Sequence, residues 1–336
     1  MSTKAIAPVF DALIIGGGPG GLSVALGMAR QLHTAVVFDS KSYRNAHTPH
    51  MHNVVTWDHR APQEFRDAAR KNILERYKTI IFEDVKVERV SRAGGEGAFE
   101  AVDANGKTWR GRTLVLASGV EDKGASIQGF DECWIGGGIF HCLFCDGYEC
   151  RDAPSSGVLA IDHLTAPRVV LHAARNAAQI TPKKVTIYTN GNTALADELN
   201  VILSASGRPD APFVVDARVI SRLAKSASAS GGDVTLHFDD GTPSVTEGFL
   251  AFHPATELKS PFAKDLGLEL TPAGDIKVAA MPVGRTSDPD VFAVGDVTTP
   301  MRAVTNAMWQ GAAVAGMVTA QIQAQKWGHP MLFGAE

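Results

Sequence analysis

The stretch 11–40, DALIIGGGPGGLSVALGMARQLHTAVVFDS, decides the fold. ALII is an apolar run of strand length, and a glycine-rich turn follows it at once. GLSVALGMARQL carries its apolar residues at helical spacing, and TAVVFD reads as a second buried strand. The turn supplies Gly16-x-Gly18-x-x-Gly21, with Pro19 inside it. Glycines there allow a tight bend and let the backbone approach a pyrophosphate, which rests on the helix N-terminus. Asp39 closes the second strand, where a carboxylate accepts from ribose hydroxyls. Strand, turn, helix and acid in this order are a dinucleotide-binding fingerprint, so the fold class is α/β.

The theme recurs along the chain. TLVLASG (113–119) is a buried strand ending in glycine. SGVLAIDHLTAPRVVLHAARNA (156–177) reads as strand, turn and helix, and KKVTIYTNGN (183–192) as the following strand. VFAVGDV (291–297) is a strand closed by Gly295-Asp296 just before an Ala-rich helix, expected over about 302–325. A further helix is expected over 62–77, a small antiparallel meander over 79–110, and flexible stretches at 1–10 and 227–232. Together these imply two Rossmann-like βαβ domains. Asp296 is a candidate for a ribityl hydroxyl, and a helix N-terminus near the flavin pyrimidine favours the anionic reduced ring. The two motifs together favour FAD over NAD at the N-terminal site.

The whole chain sets bounds. It has 336 residues, 45% hydrophobic, enough for two domains with sizeable cores. Its net charge of −4 argues against nucleic acid or an anionic membrane as partner. No apolar run approaches a membrane span, and the N-terminal segment lacks the apolar core of a signal peptide, so a cytoplasmic protein is expected.

All four cysteines, Cys133, Cys142, Cys145 and Cys150, lie close together, so they cannot staple distant parts of the chain. The centre of the cluster is FHCLFCDGYE (140–149). A zinc site needs about four ligands, and four on so short a segment rarely reach tetrahedral geometry; no metal is expected. A bridge across two residues restrains the unfolded chain by only about 2 kcal/mol. A redox couple is the remaining reading. His141 beside Cys142 is a candidate to remove a proton or stabilise a thiolate, and Asp146 after Cys145 is a candidate acid/base. Cys133 and Cys150 read as idle buried thiols. His47, His50, His52 and His59 crowd the 44–60 loop, but without carboxylate or thiolate company they read as polar surface.

In this order the GxGxxG, LASG, Cys-x-x-Cys-Asp-Gly and FAVGDV blocks resemble low-molecular-weight thioredoxin reductases over nearly the whole chain. The resemblance implies a discontinuous FAD domain, 1–119 plus 250–336, an inserted NADPH-type domain, 120–249, and a homodimer. RNAHTPHMHNV (44–54) with the cysteine block is similar to a fungal subgroup, the thioredoxin-reductase-like dithiol oxidases that close disulfides in epipolythiodioxopiperazines such as gliotoxin. By resemblance Cys145 lies against the flavin and Cys142 exchanges with substrate. Asn53 matches a flavin-contacting asparagine, and Arg44 stands where the reductases usually have glutamine. His50 and His52 are candidates to contact FAD or line the pocket, and Ala117 and Gly119 are expected close to its phosphates or adenosine. Met308 and Trp309 stand where the reductases carry small residues, as candidate walls for a small apolar substrate or as core packing. The C-terminal helix begins RAV (302–304) where the reductases have RQA.

One departure sets the direction of the chemistry. VLAIDHLTAP (158–167) stands where a second glycine fingerprint would bind NADPH, and Asp162, Leu164 and Pro167 occupy its small-residue positions. Leu164 is expected to obstruct a pyrophosphate and Asp162 to repel it. YTNGN (188–192) offers no Arg or Lys for a 2′-phosphate. With no NADPH expected, the couple runs toward oxidation of a small apolar dithiol, with O2 as acceptor. The alternatives are a thioredoxin reductase fed by ferredoxin or another donor, and a non-catalytic flavoprotein that sequesters a dithiol.

Overall fold

The computed structural model describes residues 8–94, 98–226 and 232–333. The expected tail through residue 7 and the loop 227–231 lie outside them. In chain order the elements are β1 (Val9–Ile15), α1 (Pro19–Arg30), β2 (Ala35–Phe38), α2 (Pro62–Arg76), β3 (Ile80–Glu83), β4 (Val87–Arg92), β5 (Phe99–Asp103), β6 (Thr108–Leu116), β7 (Val120–Lys123) and α3 (Phe130–Ile135). Then come β8 (Ile139–Phe140), α4 (Leu143–Asp146), β9 (Ser156–Leu159), α5 (Pro167–Ile180), β10 (Val185–Tyr188), α6 (Thr193–Ala205) and β11 (Phe213–Asp216). The chain closes with β12 (Ile220–Lys225), β13 (Val234–Phe238), β14 (Val245–Glu247), β15 (Leu250–Ala251), β16 (Ala255–Leu258), α7 (Phe262–Asp265), β17 (Val291–Ala293) and α8 (Val304–Trp327).

The chain divides into two compact units, Met1–Glu121 with Glu257–Glu336, and Asp122–Thr256. The first is built on a sheet in the order β3-β2-β1-β6-β5-β4, with β17 also paired to β6. β1, β2, β3 and β17 run parallel to their neighbours, whereas β4, β5 and β6 pair antiparallel. β3 therefore belongs to the parallel core and not to the expected meander, which begins only at β4. From Ala12 to Ile15 β1 is apolar because both of its faces are covered. Leu13 and Ile15 pack on one side with Phe38, Phe99 and Trp109, and Ala12 and Ile14 on the other with α1 and α8. Each fully buried Leu or Ile there contributes about 1.5–3 kcal/mol. Small residues let α1 and α8 lie close: a Cβ on Gly27 would strike Ala315, and one on Gly311 would strike the Gly20 carbonyl.

The second unit carries an all-parallel sheet, β11-β10-β9-β15-β8, and an antiparallel sheet, β12-β13-β14. β15 lies between β9 and β8, which is why this unit reaches Thr256. β8 is the sheet's edge, and the cysteine segment leaves from its carboxyl end. Sites of open α/β sheets form outside the carboxyl ends of their strands.

Candidate functional site

In the first unit the turn after β1 is a cradle with no room for side chains. Gly16 has φ +127, and a Cβ there would overlap the Ala117 carbonyl. A Cβ on Gly21 would overlap the Gly16 carbonyl, and one on Gly17 would overlap the Asp39 carboxylate. At Gly18, by contrast, a Cβ would meet open space. Gly18 is the N-cap of α1, Pro19 opens the helix, and no side chain caps that end. A half-buried helix N-terminus with no side-chain cap, beside a turn where a Cβ on Gly16, Gly17 or Gly21 would clash, fits a pyrophosphate, so these residues fit the FAD that the fold implies.

Asp39 is 6% exposed at the end of β2. It accepts from Lys41 N at 3.0 Å, Lys41 Nζ at 3.1 Å and the Tyr43 hydroxyl at 2.6 Å. Burial and the bond to Asp39 push the Tyr43 phenol above its usual range, which keeps it a donor. The Arg66 guanidinium lies 3.7 Å over the Tyr43 ring and donates to Asn45 Oδ1 at 3.1 Å and Gln63 Oε1 at 2.9 Å. Tyr43 and Lys41 thus hold the Asp39 carboxylate in place, with Arg66 backing Tyr43. Ala117 caps β6, donating its N–H to Ile15 O at 2.8 Å. Gly119, at φ +74, accepts from Lys259 N at 3.1 Å.

The Gly295–Asp296 turn is brought to the same unit from the far end of the chain. Arg44 Nη1 lies 3.3 Å from Asp296 Oδ2, both side chains mostly buried. Gly295, at φ +77, donates its N–H to Gln310 Oε1 at 2.6 Å. Arg302 donates to the Asp296 carbonyl at 3.2 Å and to Asp275 Oδ1 at 2.6 Å. The arginine at the head of RAV therefore braces the turn. Gln310, Asp275 and Tyr43 had no motif to mark them; Arg302 was marked only as the head of RAV.

The 44–60 loop is an ordered hairpin. Met51 N donates to Arg60 O at 2.7 Å, and His59 N to Met51 O at 2.8 Å. Asn53 takes φ +59, and its N–H donates to Asp58 Oδ1 at 3.0 Å. His50 and His59 stack with centroids 4.4 Å apart, and His52 lies 5.2 Å from His59. His50 and Asn53 are exposed. Met308 packs under the loop with Met51, Val54, Trp57 and Phe65, whereas Trp309 is 61% exposed. Of the two residues, Met308 is half-buried against this cluster.

In the second unit Cys142 and Cys145 form a disulfide with Cα atoms 5.2 Å apart. Cys142 precedes α4, and its carbonyl accepts from Cys145 N at 2.9 Å and Asp146 N at 3.2 Å. His141, Cys142, Cys145 and Asp146 are all half-buried. The apolar neighbours divide: Phe140 and Leu143 face the core, while Phe144 is 72% and Tyr148 68% exposed. The Arg151 guanidinium lies 4.4 Å over the Tyr148 ring. Cys133 and Cys150 are unbridged and buried. Burial raises the Cys133 thiol and pushes Cys150 up to about 11, so both stay neutral.

The turn from β9 to α5 corrects one expectation. Leu164 is 3% exposed and packs with Phe140, Val158 and Val170. Its side chain points into the core and obstructs nothing on the solvent side. Asp162 is exposed at φ +51. Past β10, Arg218 is held by Asp216, donating its Nε to Oδ1 at 3.0 Å.

Two dinucleotide-type folds, one with a complete phosphate cradle and one bearing a Cys-x-x-Cys disulfide, define a flavin-linked disulfide oxidoreductase. The chain belongs to the pyridine nucleotide-disulphide oxidoreductase family, whose pattern it matches over residues 10–145 and 225–311. It is similar to thioredoxin reductase aclD of Aspergillus oryzae, 45% identical over 317 residues, 94% of this chain and 97% of that one. Thioredoxin reductase tcpT of Claviceps purpurea is 43% identical over 326 residues, 97% of this chain and 98% of its own. Among solved structures, an oxidoreductase from Agrobacterium tumefaciens is 29% identical, covers 94% of this chain and 99% of its own, and superposes with a TM-score of 0.79. The family implies bound FAD. Among the described residues, no helix is long and apolar enough to cross a membrane.

Proposed function

We propose that the chain oxidises a small apolar dithiol to an intramolecular disulfide through Cys142 and Cys145, with FAD as cofactor, O2 as terminal acceptor and hydrogen peroxide as product. Its place is secondary metabolism of the epipolythiodioxopiperazine kind, and it needs no NADPH. The observation that carries this reading is the β9–α5 turn. An exposed Asp162 stands where a second phosphate cradle would need glycine, and Arg218, past β10, is bound to Asp216. A carboxylate there repels a pyrophosphate.

The first substrate thiol attacks Cys142 Sγ, the Cys142–Cys145 bond breaks, and Cys145 leaves as a thiolate. A ring nitrogen of His141 takes the proton of the incoming thiol. The second substrate thiol then attacks the substrate sulfur of the mixed disulfide and releases Cys142, while Asp146 carries its proton to the enzyme thiols. Bound FAD supplies the two-electron acceptor, which O2 restores. Phe144 and Tyr148 offer apolar surface beside the pair to a small substrate.

The test is oxygen uptake by pure, FAD-loaded enzyme with a small dithiol in air and no NADPH. Uptake is expected, with the dithiol bleaching the flavin absorbance anaerobically and NADPH leaving it unchanged. Bleaching by NADPH, or thioredoxin reduction without dithiol-driven uptake, would overturn the proposal.

A further inference from the structure

His141 is backed by an aromatic platform. Trp134, on α3, lies nearly parallel to the His141 ring, with centroids 5.6 Å apart and planes 26° from parallel. Phe130 stacks on Trp134 at 5.7 Å, and Phe252, just after β15, meets it edge-on at 6.0 Å. Phe130 and Phe252 meet each other edge-to-face at 5.1 Å, and they are 1% and 2% exposed. The two phenylalanines anchor the indole in the core. Trp134 itself is half-buried, with one flank left to the imidazole.

The geometry has a chemical consequence. An aromatic face carries the negative part of the ring quadrupole, and indole is the strongest of the common ones. A ring stacked on it is held more firmly as imidazolium than as imidazole. His141 immediately precedes Cys142, and a cation beside a cysteine favours its thiolate. A core tryptophan that only filled space would act on the thiols through no particular neighbour; this one lies against the residue next to the disulfide.

We propose that Trp134 is a positioning residue for the thiol chemistry: it fixes the His141 ring beside Cys142 and stabilises the imidazolium that forms as the disulfide opens. This rests on the reading that the Cys142–Cys145 couple exchanges with substrate thiols. In the opening step, the proton of the incoming thiol passes to His141, the new bond forms to Cys142, and Cys145 departs as thiolate. Charge separates into an imidazolium and a thiolate, and the indole favours the first member of that pair.

The test follows the rate of iodoacetamide alkylation of the reduced, FAD-loaded protein from pH 5 to 9, together with dithiol-driven oxygen uptake. Cys133 and Cys150 contribute little background, being buried and neutral. Asp131 and Glu132 on α3, Lys225 on the neighbouring β12, Asp146, Tyr148, Glu149 and Arg151 after the disulfide, and His253 beside Phe252 are further ionisable groups around the pair, and they are common to every variant. Trp134→Leu is expected to slow alkylation below the thiolate pKa by about 2- to 30-fold, the range of a cation–π contact, and to move the profile to higher pH. Trp134→Phe, with a weaker face, moves it less in the same direction. In a His141→Ala background, Trp134→Leu adds nothing. Profiles unmoved by Trp134→Leu and Trp134→Phe, or moved equally without His141, overturn the role. If the leucine variant does not fold, the phenylalanine variant and its His141→Ala double decide alone. Absent oxygen uptake in the wild type overturns the underlying reaction and this role with it, whereas normal uptake with an unmoved profile removes only the role of Trp134.

Discussion

At Asp11, burial alone would raise the carboxyl, yet the bonds from His33 Nδ1 at 3.2 Å and Thr34 N at 2.9 Å outweigh it and hold the group at about 2. A carboxyl whose folded value lies below its unfolded one stabilises the fold above the unfolded value and loses that contribution as pH falls through the folded one. Asp11→Asn is therefore expected to lower unfolding free energy by about 1 kcal/mol at pH 7, after discounting for solvent screening. The gap to wild type should narrow as pH drops from about 4 towards 2. Urea titrations at pH 7, 5 and 3 check this; a gap that does not change with pH contradicts it. At this scale the sequence was legible where function depends on local spacing. Gly16, Gly18, Gly21 and Asp39 fall within a few dozen residues and announce themselves. Tyr43 and Arg66 do not, because a tyrosine or arginine in a polar loop reads alike whether it faces solvent or stacks on a neighbour.

Among elements, the segment that meets FAD's expected ribityl end is braced by a buried ion pair. Arg302 and Asp275 are 9% and 4% exposed at 2.6 Å. Asp275→Ala leaves the guanidinium buried without its partner, which costs about 3–5 kcal/mol. The expected result is a lower denaturation midpoint together with weaker FAD retention on gel filtration, because Arg302 also holds the Asp296 carbonyl. A variant as stable as wild type would contradict the brace. β3 shows why elements are harder to read than residues. Its four residues, IIFE, alternate no differently from the meander strands that follow, and only the pairing of Ile80 with Ala35 reveals its parallel company. Leu164 teaches the same lesson for a turn: its identity was visible, but the face it takes was decided by the core beneath it.

For the molecule as a whole, the first unit is assembled from both ends of the chain. β17 pairs with β6, α8 packs on α1, and Asp296 meets Arg44. The second unit uses one uninterrupted stretch, Asp122–Thr256. The fold class was plain from repeated βαβ patterns, but the exact crossing point was not, since two-residue β15 is too short to carry a period.

This arrangement imposes an order in time on synthesis. Chains emerge from the ribosome at about 5–20 residues per second. When residue 280 has left the exit tunnel, every strand of the second unit is available, yet the first still lacks β17 and α8. A stalled nascent chain of that length is expected to resist protease across 122–256 and to be cut readily within 8–121; equal protection of both would contradict this. The cysteine pair can thus find its fold while the flavin cradle is still unfinished, so the cofactor has a complete site only after β17 and α8 have emerged.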